Sequence, residues 1–233
     1  KIPPTAPPTR LQMIARPITT PSPGILNHAT AATPVMTAKA KPLASPTRPS
    51  RTTALVQEVT DTFASRVGGV STVIELAPLL GELGSGPFRG DIGQSARAAL
   101  EAVESADLIV VGSPAYRATY TGLFKLFFDH VGQHALVDKP IVLTATGGSD
   151  RHALLVEHQM RPLFGFFQSL TVPLGIFANE GDFTDYRVES PERRSRIETA
   201  VQRTLPLLAM HLRLDEDFAG AATVPAFARP DAF

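Results

Sequence analysis

Leu108-Ile109-Val110-Val111-Gly112-Ser113-Pro114-Ala115-Tyr116-Arg117-Ala118-Thr119-Tyr120-Thr121-Gly122 is the stretch that decides the fold. Four consecutive apolar residues, three of them β-branched, make a strand with no polar face, and such a strand must be covered on both sides. It runs out at Gly112-Ser113-Pro114. A helix signal resumes at Thr121 and continues to Val131, with Leu123, Phe124, Phe127 and Val131 as its apolar stripe. Strand, loop and helix in this order are the first half of a βαβ unit, whose crossover is right-handed.

The same grammar extends in both directions. Upstream, Arg51–Arg66 carries Leu55, Val56, Val59 and Phe63 at helical spacing, and Val70–Leu76 is a short β-rich run. Gly81–Gly93 reads as a glycine-rich loop and Gln94–Ala106 as a helix. Downstream, Ile141-Val142-Leu143 opens a second buried strand that ends at Gly147-Gly148. A helix over His152–Leu170, a strand over Val172–Ala178 and a long helix over Pro191–Leu212 follow. Alternating buried strands and helices predict an α/β protein with a doubly wound, parallel, five-stranded sheet of the flavodoxin type, helices on both faces.

The ends of the chain differ from its body. Eleven of the 21 prolines fall in the first 50 residues, and the first 51 hold seven Lys or Arg and no Asp or Glu. Residues 1–44 read as a Pro-rich, disordered N-terminal tail, 45–214 as the flavodoxin-like domain, and 215–233 as a C-terminal tail. The remaining 182 residues carry 15 basic against 22 acidic side chains, a net of −7. An acidic body lacks the clustered cations that displace phosphate counterions, so no nucleic-acid partner is expected. Apolar runs are too short for a bilayer, which needs about 20 residues, so no membrane partner is expected. There is no cysteine, and no disulfide or thiolate chemistry follows. With no signal-peptide pattern, a cytoplasmic location is expected. No metal set is expected either: His152 and His158 face different sides of a helix, and Gly132 ends the helix that would pair His130 with His134.

Ligands of open α/β sheets bind beyond the carboxyl ends of the strands, and three segments fall there. Ser45-Pro46-Thr47-Arg48-Pro49-Ser50-Arg51-Thr52 leads into a helix, where free amides and the dipole favour a phosphate. Ser50 or Thr52 equally suits a plain N-cap. Gly112–Gly122 offers strand-end amides to the edge of a ring, with Tyr116 or Tyr120 for its face; it equally suits an ordinary loop with two surface tyrosines. Thr144-Ala145-Thr146-Gly147-Gly148-Ser149-Asp150 has paired glycines that allow close backbone approach, or simply a turn. Hydride exchange between two flat ring systems needs stacking, orientation and a phosphate anchor more than acid–base groups.

Ser113-Pro114-Ala115-Tyr116-Arg117, then Tyr120-Thr121-Gly122-Leu123-Phe124-Lys125, then Ala145-Thr146-Gly147-Gly148, resemble the NAD(P)H-dependent FMN reductases of two-component monooxygenase systems. The resemblance continues through His152-Ala153-Leu154 and Arg161-Pro162-Leu163, covers about Ser45 to Leu214, and is nearest to the reductases serving alkanesulfonate and methanesulfonate monooxygenases. It implies FMN as cofactor, with its phosphate on Ser45, Arg48, Ser50 and Thr52. Pro114, Ala115, Tyr116 and Arg117 would then contact the ring and ribityl chain, and Thr146, Gly147, Gly148 and Ser149 would lie along the isoalloxazine. It implies a hydride from NADH or NADPH, reduced FMN leaving for a flavin-dependent monooxygenase, and a homodimer or homotetramer. In sulfonate-type members the helix after the Gly-Gly loop carries a π-bulge with an inserted residue at a subunit interface; His158 matches it and is the catalytic candidate that the resemblance implies. No basic cluster is clearly placed for a 2′-phosphate, which favours NADH slightly.

One departure stands out. The family has an apolar first strand directly before the phosphate loop, and here Lys41-Pro42-Leu43-Ala44 stands in its place. Either the tail supplies a substitute strand near Ile25 or Val35, or the sheet is defective. Two further readings stay open: a quinone or azo-dye reductase that keeps FMN bound, and a non-catalytic flavodoxin-like protein that binds flavin or a partner.

Overall fold

The computed structural model describes residues 34–39, 50–67 and 70–212, which fall in one compact unit. In chain order the first elements are β1 (Pro34–Lys39), α1 (Arg51–Val67), β2 (Val70–Glu75), α2 (Leu80–Leu83), α3 (Gln94–Ser105), β3 (Leu108–Pro114) and α4 (Gly122–Asp129). There follow β4 (Pro140–Thr146), a π-helix (Val156–Met160), α5 (Arg161–Phe166), β5 (Leu170–Thr171), β6 (Ile176–Ala178), the hairpin β7 (Phe183–Thr184) and β8 (Arg187–Val188), and α6 (Pro191–Leu212). The main sheet is parallel throughout, in the order β2-β1-β3-β4-β5, with β6 also on β4. That is the flavodoxin order.

β1 occupies the segment assigned above to the tail. Its backbone pairs Val35 with Ser71 on one side and Leu108 on the other, and its last residue, Lys39, lies between Glu75 and Gly112. The tail therefore supplies the substitute strand at Val35, and the α/β body starts at least as early as Pro34. The phosphate-loop residues Ser45 and Arg48, and the C-terminal tail, lie outside the described residues.

Alternation along the strands divides the core. Leu108 and Val110 of β3 and Val142 of β4 face Leu55, Val56, Val59 and Phe63 of α1 and Ile197 and Val201 of α6. Ile109, Val111, Ile141 and Leu143 face α3, α4 and α5. On that second side Phe128 lies 4.8 Å from Phe124 and 4.9 Å edge-on from Phe164, ring geometries that add to area burial. The α4 stripe is intramolecular core: Leu123, Phe124, Phe127 and Val131 are all buried.

Of the expected strand over Val172–Ala178 only Ile176–Ala178 forms, as β6, and β5 precedes it at Leu170–Thr171. Pro173 has no amide for the ladder and the chain steps out before Ile176 returns to Thr144. The sheet so counts six strands, with the fifth position shared. The helix expected over His152–Leu170 is a 3₁₀ turn (Asp150–His152), the π-helix and α5 in series, and the expected Gly81–Gly93 loop holds the last turn of α2. Among the described residues no helix is long and apolar enough to cross a membrane.

Candidate functional site

The carboxyl ends of β1, β3, β4 and β6 lie on one rim: Lys39 pairs with Gly112, Pro114 with Thr146, and Thr146 with Ala178. α1 starts at this rim and crosses β3 at Gly112. A Cβ on Gly112 would sit 2.3 Å from Val56 Cγ2 and 2.9 Å from Thr144 Oγ1, so only glycine lets the helix come this close. The approach lets Thr52, buried at 3% exposure, meet Thr146 hydroxyl to hydroxyl at 2.6 Å. Ser50 is the N-cap of α1: its Oγ accepts the Thr53 amide at 3.3 Å and its carbonyl the Ala54 amide at 3.0 Å. Ser50 thus serves as the helix cap, while the Thr52 hydroxyl ties the first turn of α1 to Thr146 of β4.

The loop after β3 is a tight hairpin. The Ala115 amide donates to the Thr146 carbonyl at 2.6 Å, and Tyr116 and Thr119 exchange backbone bonds of 2.7 and 3.2 Å. Between them Arg117 and Ala118 have φ of 51° and 69°, the left-handed pair of a type I′ turn. Such turns favour Asn-Gly, so two residues with side chains here carry backbone strain, which clusters at functional sites. The turn presents Tyr116, 42% exposed, at the rim with the Arg117 guanidinium 6.0 Å from its ring centre. Behind it, the buried Ser113 Oγ accepts the Thr121 amide, and Thr121 caps α4 by accepting the Phe124 amide, each at 3.1 Å.

The loop after β4 separates its two glycines by role. The Gly147 amide donates to the Ala178 carbonyl at 3.1 Å, and a Cβ there would meet Phe177 at 2.9 Å. A Cβ on Gly148 would meet nothing within 4 Å. Among the described residues, the amides of Gly148 and Ser149 donate to no partner, and both residues are exposed. Two free amides beside an open glycine are a donor set for the carbonyl-bearing edge of a flat ring, laid where a side chain would otherwise stand. The residues present fit a flavin.

His158 is exposed and sits within the π-helix, matching the expected bulge. Its neighbour Gln159 reaches the loop after β3, where its Oε1 accepts from Thr119 Oγ1 at 3.3 Å. Gly175 lets the π-helix pack closely, since a Cβ there would fall 2.4 Å from Val156 Cγ1. Arg161 donates to Glu157 at 2.8 Å and to the Val172 carbonyl at 3.1 Å, and that side-chain hydrogen bond holds the Glu157 carboxyl below the usual carboxylate range.

A parallel doubly wound sheet in this strand order, with a strained aromatic turn and an open glycine loop on its carboxyl rim, defines a flavodoxin-like α/β protein. Comparison with known proteins places it further. Residues 43–184 match the family model described as NADPH-dependent FMN reductase. The NADH-dependent FMN reductase SfnE of Pseudomonas putida is 46% identical over 164 residues, covering 70% of this chain and 88% of its own. The FMN reductase (NADPH) of Pseudomonas aeruginosa is 44% identical over 160 residues, covering 69% and 86%. The apo structure of the NADH:FMN oxidoreductase EMOB superposes with a TM-score of 0.64 at 27% identity, over 78% of this chain and 91% of that one. The chain belongs to the NADPH-dependent FMN reductase family, and is an oxidoreductase with FMN and NADH or NADPH as cofactors. The family match begins at residue 43, beyond β1.

Sequence reasoning did not find the turn strain, because no glycine marks it. Nor did it find the segment after β6, although Asn179-Glu180-Gly181-Asp182 has the spacing of a capping box.

Proposed function

We propose that this chain moves a hydride from NADH or NADPH to FMN on the β1–β3–β4 rim and releases reduced FMN to a flavin-dependent monooxygenase of the sulfonate type. The observation that carries this reading is the junction at Thr146. Its side chain meets α1 through Thr52 and its carbonyl holds the Tyr116 turn through Ala115, so all three candidate loops meet at one residue. FMN bound there would accept the hydride at its ring and a proton from water, leaving as reduced FMN beside oxidised nicotinamide. The chain's part is to hold the phosphate end near Ser50 and Thr52, with Ser45 and Arg48 assigned to the same end by resemblance. Pro114, Ala115, Tyr116 and Arg117 flank the ring and ribityl chain, and Thr146, Gly147, Gly148 and Ser149 support the isoalloxazine. The other ring face is left for the nicotinamide.

Release is what separates this reading from a quinone or azo reductase. After turnover with NADH and FMN and rapid filtration, the flavin is expected in the filtrate. Flavin that stays with the protein, with turnover demanding a quinone, contradicts it.

Gly148 gives a second test. Gly148→Ala has room in the protein itself, so Tm stays unchanged. A methyl in the ring's place costs about 1–2 kcal/mol, on the order of a tenfold weaker FMN affinity. An unchanged affinity would move the ring elsewhere. Gly147→Ala, by contrast, lowers Tm through Phe177.

His158 belongs in this reading to a subunit contact. With the α4 stripe spent on the core, Leu154 and Phe166, 63% and 62% exposed, are the apolar side chains left beside the π-helix. A dimer or tetramer seated there falls apart in Phe166→Asp, read as mass in solution; a monomeric parent chain removes this part.

A further inference from the structure

Residues 179–186 follow β6 and touch two of the three rim segments. Asn179 Nδ2 donates to Asp150 Oδ1 at 2.8 Å, which ties the segment to the end of the Gly-Gly loop. Glu180 pairs with Arg51, the first residue of α1 and 129 positions earlier in sequence. The Arg51 guanidinium also lies 5.9 Å from the ring centre of Tyr186, at the tip of the β7–β8 hairpin.

The segment is closely hydrogen-bonded within itself. Asn179 Oδ1 accepts the Gly181 amide and Asp182 Oδ2 the Asn179 amide, both at 2.8 Å. Asp182, 6% exposed, is paired with Arg193 at 3.2 Å. The hairpin tip is a second turn with side chains at left-handed positions, Asp185 at φ 46° and Tyr186 at φ 61°, a conformation held against its local preference. An arginine in the first turn of a helix faces the positive end of the dipole, which disfavours it. The Glu180 carboxylate offsets that and gives Arg51 one defined place. A hydrogen-bonded and ion-paired band therefore runs from the Gly-Gly loop through Asn179 and Glu180 to the start of α1.

We propose that Glu180 is a positioning residue for the phosphate end of the flavin. Acting through Arg51, it sets where the first turn of α1 stands relative to the Gly147–Asp150 loop that supports the ring. The inference rests on the FMN-reducing reading above. It goes beyond that reading in naming a residue that acts through Arg51.

The test compares the full chain with Glu180→Gln as NADH-dependent reductases of FMN and of riboflavin, which has the same ring and no phosphate. The Glu180 side chain is 62% exposed, so the substitution leaves the fold alone. In the variant, KM for FMN is expected to rise about threefold, within the range of an exposed ion pair. KM for riboflavin and kcat with both flavins should stay unchanged. Tyr186→Leu should shift KM for FMN in the same direction by less. An equal rise for both flavins means a general loosening of the rim and overturns the proposal, as does no rise for either. A parent chain that reduces neither flavin overturns the underlying reading, and that outcome is seen before any variant is compared.

Discussion

A chain shortened by its first 39 residues is expected to lose cooperative unfolding altogether, while one shortened by 32 keeps it. β1 lies between β2 and β3 in the sheet, with six backbone pairs to β2 and five to β3. Removing it orphans the facing edges of both neighbours, and β2 loses its only partner among the described strands. At about 1 kcal/mol net per hydrogen bond, and more for each buried group left unpaired, the loss is on the order of the whole 5–15 kcal/mol that holds a domain together. Thermal unfolding followed by circular dichroism decides it. Two chains with the same sharp transition would mean that some other segment fills the place between β2 and β3.

Gly112→Val is expected to lower stability by more than about 3 kcal/mol, on the order of 10 °C in Tm for a chain of this size. The new side chain would start 2.3 Å from Val56 and 3.3 Å from Thr52 Cγ2, on the buried face of α1. Val56 is stiff at χ1 and fully buried, so it cannot swing clear, and α1 must lift from the sheet. The Thr52–Thr146 contact sits one turn along the same helix and opens with it. FMN affinity should thus fall together with Tm. That pairing distinguishes Gly112→Val from Gly148→Ala, where affinity falls alone. A Gly112→Val chain with parental Tm would show that α1 does not pack as described.

The parts that could be read in the sequence are those whose signal is local and apolar. Leu108–Val111 and Ile141–Leu143 are runs with no polar face, and they are the two central buried strands. The glycines at 147 and 148 end one of them where a ligand loop must begin. β1 was legible only as one of two places for a substitute strand, near Ile25 or Val35, because Thr37-Ala38-Lys39 extends no apolar run beyond Val35-Met36. The split of the fifth position was visible in Pro173, but the surrounding Val172, Leu174 and Ile176 read as one strand. The strained turn at Arg117-Ala118 lacks the Asn-Gly pair that would announce it, and Glu180 with Arg51 is a contact across most of the chain. Long-range pairs of this kind leave no periodicity to read.

The central claim is that the rim at Thr146 binds FMN so that a nicotinamide cofactor can reduce it. The most direct measurement is the rate of NADH oxidation as FMN is added to the full chain, repeated with NADPH. The account predicts little oxidation without added flavin and a rate that rises and saturates with FMN for at least one of the two nicotinamides. A folded chain whose NADH and NADPH oxidation both stay at the flavin-free level at every FMN concentration would contradict it.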